Sequence, residues 1–246
     1  MMTHNRSPRS LGMRAIPLIS SLAALYAAVS LLPSFPIIGV AGSRISIARS
    51  LEMSYGIILG PIIGPLTAFL GAFIGKILSM DFFGIYFTPL AFISSLTAAA
   101  MSRYRVFNIR GWIVASFISM IFIISWYATP IGRKAPLYPM PHLIGLIIII
   151  TWRDKIAGYI HSGDKTEMVM GVALCGFSST MTGHMLGNLI FMALLSNIAS
   201  PSFFMALLPL SVMERLMITL IGTVIGVPFI LIVKRNFPNL IRNMGT

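Results

Sequence analysis

Residues 54–78 read SYGIILGPIIGPLTAFLGAFIGKIL. A helix needs roughly 20 apolar residues to cross the hydrocarbon core of a bilayer, and this run is long enough to try. Gly60-Pro61 divides it, because proline stops one helix and can start the next. Beyond that turn the small residues form rows: Gly64, Ala68 and Ala72 make one, and Thr67, Gly71 and Gly75 another. Small rows let helix backbones approach closely, as a central helix of a membrane bundle requires.

The rest of the chain has the same character. Of 246 residues, 57% are apolar and 10% charged, more apolar surface than a soluble domain of this size can hide. The expected fold is an all-α polytopic membrane helix bundle. About eight apolar segments are expected, near 15–34, 45–59, 62–80, 83–102, 111–129, 139–156, 168–197 and 211–233. The bundle then spans 15–233, between basic cytoplasmic tails at 1–14 and 234–246. With both termini inside, Arg44, Arg49, Lys76, Arg133, Lys134 and Arg215 lie outside, and the other 12 of the 18 basic residues lie inside. That bias follows the positive-inside rule and gives a multi-pass protein of a prokaryotic plasma membrane. The net charge of +12 flanks the spans, so it suits an anionic lipid bilayer surface rather than nucleic acid. The single cysteine, Cys175, excludes an internal disulfide or a thiolate metal cluster. No phosphate-binding loop is present, so no internal ATP-driven motor is expected.

The first apolar segment contains SLAALYAAVSLL, in which Ala23, Ala24, Ala27 and Ala28 form two overlapping small-xxx-small pairs. An A-x-x-x-A helix, a loop, and then Gly56, Gly60, Pro61, Gly64, Pro65, Ala68, Gly71, Ala72 and Gly75 follow in order. In this order the chain resembles the substrate-binding S-components of energy-coupling-factor transporters, over roughly residues 15–102. The resemblance implies a six-helix core that binds a vitamin or related micronutrient from outside and performs no chemistry itself. It also implies a transmembrane coupling subunit and two ATPase subunits as partners, with Ala23 and Ala27 as docking contacts. The chain departs from that family in its greater length and its extra segments.

Ionisable groups within spans are costly and read as functional candidates. Arg44, Arg49 and Glu52 follow the proline- and glycine-rich loop LLPSFPIIGVAGS, and all three are substrate-binding candidates. Arg49 and Glu52 are spaced for a local ion pair, while a guanidinium also offers a planar fork to a carboxylate or phosphate. Thr180, His184 and Asn188 recur every four residues, giving a stripe that serves either interhelical hydrogen bonds or a cavity wall. Glu214, beside Arg215, and Asp81, near Lys76, are further candidates or interfacial anchors. Trp126 and Tyr127 belong to an aromatic belt or stack on a flat ligand. No metal site is expected, since His142 and His161 are expected near opposite faces, and no cofactor is expected.

Rival classes lack their signatures. Intramembrane proteolysis needs G-x-S-x-G with a histidine, paired aspartates or H-E-x-x-H, and none is present. A self-sufficient secondary transporter often shows related halves, and 15–129 and 139–233 share no alignable spacing. A membrane scaffold is the remaining alternative.

Overall fold

The computed structural model describes residues 8–32, 35–36 and 44–236. Helix α1 is Pro8–Ser30, followed by the two-residue strands β1 (Phe35–Pro36) and β2 (Arg44–Ile45), which pair with each other. A 3₁₀ turn, Ile47–Ser50, leads into α2, Leu51–Leu78. Then come α3 (Phe82–Ile85), α4 (Pro89–Met101) and the hairpin β3–β4 (Arg105–Val106, Ile109–Arg110). The second half holds α5 (Gly111–Ala128), α6 (Pro130–Lys134), α7 (Met140–Trp152), α8 (Asp154–His161), α9 (Lys165–Leu194) and α10 (Pro201–Asn236). Each expected apolar segment therefore appears as helix, although α10 begins ten residues earlier than expected. The tail residues 1–7 and 237–246 lie outside the described residues, as do 33–34 and 37–43 of the proline-glycine loop.

The chain reverses at Gly60. This residue has φ 88° and ψ −176°, a conformation glycine adopts at no steric cost. A Cβ placed on Gly64 would lie 2.6 Å from the Tyr55 carbonyl oxygen and 2.9 Å from Gly56 Cα. In one straight helix, residues nine apart are separated by roughly 13 Å. So α2 is a helical hairpin, with one limb at 51–59 and another at 61–78, turning where the Gly-Pro pair was expected to turn it. The Gly64–Ala68 row faces the first limb or its surroundings, and Ala68 is fully buried. Every residue from Leu51 to Gly60 is buried, which makes the first limb a core element.

Proline at 61 has no N–H to give Ile57, so the turn leaves that carbonyl open. Arg103 fills it: Nη2 donates to Ile57 at 3.2 Å, while Nη1 donates to the carbonyls of Gly56 and of Ala99 in α4 at 3.2 and 3.1 Å. Its charge is covered by the protein, with 5% of the residue exposed. The neighbouring connections gather around the same end of the bundle. His161 Nε2 lies 2.9 Å from the Ser102 carbonyl, Lys234 donates to the Ile160 carbonyl at 2.8 Å, and Arg153 stacks over Trp112.

Helix α1 lies across the hairpin. Gly71 admits Tyr26 and the Ala23 carbonyl, and Gly75 admits Ser30 and Ala27, while Tyr55 donates to the Leu22 carbonyl at 2.7 Å. This corrects the docking assignment of Ala23 and Ala27. Both are buried against α2, at 4% and 3% exposure, so no partner can reach them. The adjoining row, Ala24 and Ala28, is exposed.

Among the described residues four helical stretches are long and apolar enough to cross a membrane by length and composition: Ile47–Leu78, which the Gly60 turn folds back on itself, Phe82–Met101, Gly111–Ala128 and Pro201–Asn236. Ile16–Ser30 and Met140–Trp152 are shorter apolar helices. The 30-residue α9 is not among the four, because its run of Ser, Thr, His and Gly lowers its apolar content. That composition suits its position, since α9 packs against α2, α4, α5, α7, α8 and α10. Ser119 of α5 and Thr182 of α9 hydrogen-bond within this interior. The exposed apolar side chains lie elsewhere, on faces such as Ile113, Phe117, Ile121 and Ile124 of α5 and Leu220, Val224 and Leu231 of α10.

Candidate functional site

At the opposite end of the bundle from Arg103, a cavity of about 960 Å³ opens among α1, α2, α4, α9 and α10. The 3₁₀ turn brings Arg49 to its wall, and the start of α2 brings Glu52. Glu52 is 3% exposed and accepts the Tyr26 hydroxyl at 2.9 Å. Contrary to their spacing, Arg49 and Glu52 do not form an ion pair, because Arg49 precedes the α-helix and Tyr26 holds the carboxylate.

Glu214 and Arg215 of α10 also line the cavity. Adjacent positions on a helix point well apart, yet the two form a close ion pair, the long side chains closing the angle. Arg215 is 3% exposed and donates to Thr180 Oγ1 of α9 at 3.2 Å. The rest of the α9 stripe also meets other helices, although Asn188 Nδ2 has no partner among the described residues. Asn188 accepts the Tyr138 hydroxyl at 3.1 Å, and His184 Nδ1 lies 3.2 Å from His142 Nε2. The two imidazoles stack with centroids 5.3 Å apart, while His161 lies at the other end of the bundle, on the Ser102 carbonyl. Both His184 and Asn188 line the cavity.

At its rim, Asp81 receives Lys76 Nζ at 2.6 Å and the Gly84 N–H at 2.7 Å. Partial burial pushes the Asp81 carboxyl up, but these two hydrogen bonds and the Lys76 charge outweigh it and hold the group below its ordinary value. A lowered folded value stabilises the protein above the ordinary carboxylate range, and that stabilisation is lost as pH falls through the lowered value. The pair is substantially exposed, so Asp81→Asn is expected to cost less than about 1 kcal/mol. The loss should be seen in thermal unfolding at neutral pH and vanish in strong acid.

Trp126 and Tyr127 fall outside this wall, and the side chain of Arg44 lies outside the described residues. Arg44 pairs with Pro36 through the backbone of β2. Trp126 is fully buried, stacked on Tyr138 at 4.8 Å and edge-on to Phe204 at 4.9 Å. Tyr127 donates to the Pro136 carbonyl at 2.9 Å. Trp126 thus builds the wall from behind, through Tyr138 and Phe204, and Phe204 itself lines the cavity. The aromatic lining comes instead from residues without a sequence signal, including Tyr26, Phe83, Phe87 and Phe191. Among the described residues no group of three or more His, Cys, Asp or Glu side chains converges as a metal site.

No family model matches the chain, and no solved structure matches it. An uncharacterized protein of Methanocaldococcus jannaschii is 30% identical over 141 residues, covering 57% of this chain and 45% of that relative. The chain therefore matches less than half of the relative's length.

Proposed function

We propose that this chain is the membrane-embedded capture subunit of an energy-coupling-factor type uptake transporter. It binds a vitamin or related micronutrient from outside the cell and delivers it with energy from separate ATPase subunits. The observation that carries this reading is the cavity itself. A charged and aromatic chamber opens at one end of an apolar bundle, and buried charge in such a setting is retained for function. The chamber lies opposite the end where Arg103, Arg110, Arg153 and Lys234 gather. By the positive-inside rule the basic end is cytoplasmic, which opens the cavity outward and places both termini inside. The chain is not an enzyme on this reading, and it sits in the plasma membrane with a six-helix core formed around the α2 hairpin.

Coupling then uses the exposed row of α1. Ala24 and Ala28 offer a smooth strip, next to exposed Leu25, at which a helix of the coupling subunit fits closely. Ala24→Leu with Ala28→Leu is expected to weaken co-purification with the coupling subunit about tenfold, a loss of about 1.4 kcal/mol, while ligand binding survives. Ala23→Leu with Ala27→Leu should instead damage folding, since Gly71 and Gly75 lie behind those residues. Unchanged association of the first variant would refute the docking face.

A further inference from the structure

Among the described residues six formal charges line the cavity: Arg49, Lys76 and Arg215, and Glu52, Asp81 and Glu214. Two opposite pairs are closed, Lys76 with Asp81 at 2.6 Å and Arg215 with Glu214. The third is open. Among the described residues Arg49 makes no ion pair or hydrogen bond, and Glu52 holds a single hydrogen bond from a neutral phenol. The 3₁₀ turn, pinned by the Ser50 hydroxyl on the Ile47 carbonyl at 2.6 Å, fixes the backbone at Arg49, and Tyr26 fixes Glu52. Arg49 is partly exposed to the cavity and Glu52 holds one neutral donor, so both groups remain open to a ligand there.

The ligand must supply what is missing. An anion alone would satisfy Arg49 and be repelled by Glu52, and a cation alone would do the reverse. A neutral molecule carrying both charges satisfies both and preserves the balance of the lining. We propose that the ligand is a small amino-acid-like zwitterion, its carboxylate on the Arg49 guanidinium and its protonated amine on Glu52. Its apolar body lies against the phenyl rings of Phe83, Phe87 and Phe191, which line the same chamber. The planar fork of Arg49 suits a carboxylate in two-point contact. This assignment rests on the capture-subunit reading and gives that subunit its substrate class.

The test uses the full-length chain in mild detergent and three matched probe mixtures. The first contains L-leucine, L-methionine, L-phenylalanine and L-tryptophan, the second their desamino carboxylic acids, and the third their decarboxylated amines. The thermal unfolding midpoint is expected to rise with the amino acids alone, and Arg49→Gln and Glu52→Gln each to weaken that binding about thirtyfold or more. Since the wild-type comparison needs no variant, a poorly folded mutant does not blunt it. A shift with the acids or amines as large as with the amino acids, or no shift with any mixture, overturns the zwitterion. Co-purification with the coupling subunit is measured separately, so retention of that partner would leave the capture reading standing while the substrate class falls.

Discussion

Gly56→Leu is expected to abolish the folded state. An ideal Cβ at this position already meets the Ser95 carbonyl oxygen and lies 2.9 Å from the Ala99 nitrogen, both backbone atoms of α4. Helices α2 and α4 touch here with no side chain between them, and Ala98, Ala99 and Ala100 are fully buried. A leucine forces the helices apart along a seam that also carries the Gly60 turn, so the cost exceeds the usual 1–3 kcal/mol of core overpacking, at roughly 4 kcal/mol or more. Detergent extracts should show loss of the monodisperse species on size exclusion. Gly163→Ala is the control: nothing lies within 4 Å of a Cβ there, and its thermal midpoint should match that of the parent.

Arg103→Leu should be nearly as damaging, for an electrostatic rather than steric reason. The guanidinium serves the Ile57 carbonyl, which Pro61 leaves without its helical donor, and the Gly56 carbonyl beside it. Removing it strands the Ile57 oxygen in the interior, at about 1–3 kcal/mol for a buried unsatisfied group, and also strips its bonds to Gly56 and Ala99. The expected loss is about 3 kcal/mol, read as a fall in thermal midpoint. Arg103→Lys should recover part of it, because an ammonium keeps the charge but cannot span two carbonyls as a planar fork does. A midpoint within a degree of the parent for the leucine variant would show that the turn does not depend on Arg103.

Local chemistry and long-range packing were not equally legible in the sequence. The hairpin at Gly60 could be read because its cause is local: glycine at positive φ followed by a residue that cannot donate. The Thr180–His184–Asn188 stripe could be read because helical periodicity alone puts those residues on one face. Their partners could not. Arg215, His142 and Tyr138 reach them from other helices, across separations of 35, 42 and 50 residues, and periodicity holds no information about such pairings. The two alanine rows of α1 show a different limit. Both rows have the same spacing, and only the position of Gly71 and Gly75 decides that Ala23 and Ala27 turn inward. Spacing misled at Arg49 and Glu52, where i,i+3 geometry presumes a regular α-helix and the chain has a 3₁₀ turn. It misled again at Glu214 and Arg215, where side-chain length overcame the angle between neighbours. Trp126 suits either an interfacial belt or a stacked ligand by type and depth, and instead serves as buried backing for Tyr138 and Phe204.

The central claim is that the cavity holds a small molecule tightly enough for uptake from dilute solution. Mass spectrometry of the compounds released on denaturing protein purified in mild detergent tests it most directly. The account predicts one micronutrient-sized compound in near-equimolar amount in the parent, and its depletion in a Glu52→Gln variant that elutes as the same monodisperse species. Release of lipid alone, repeated after incubation with a vitamin and amino-acid mixture, would contradict it.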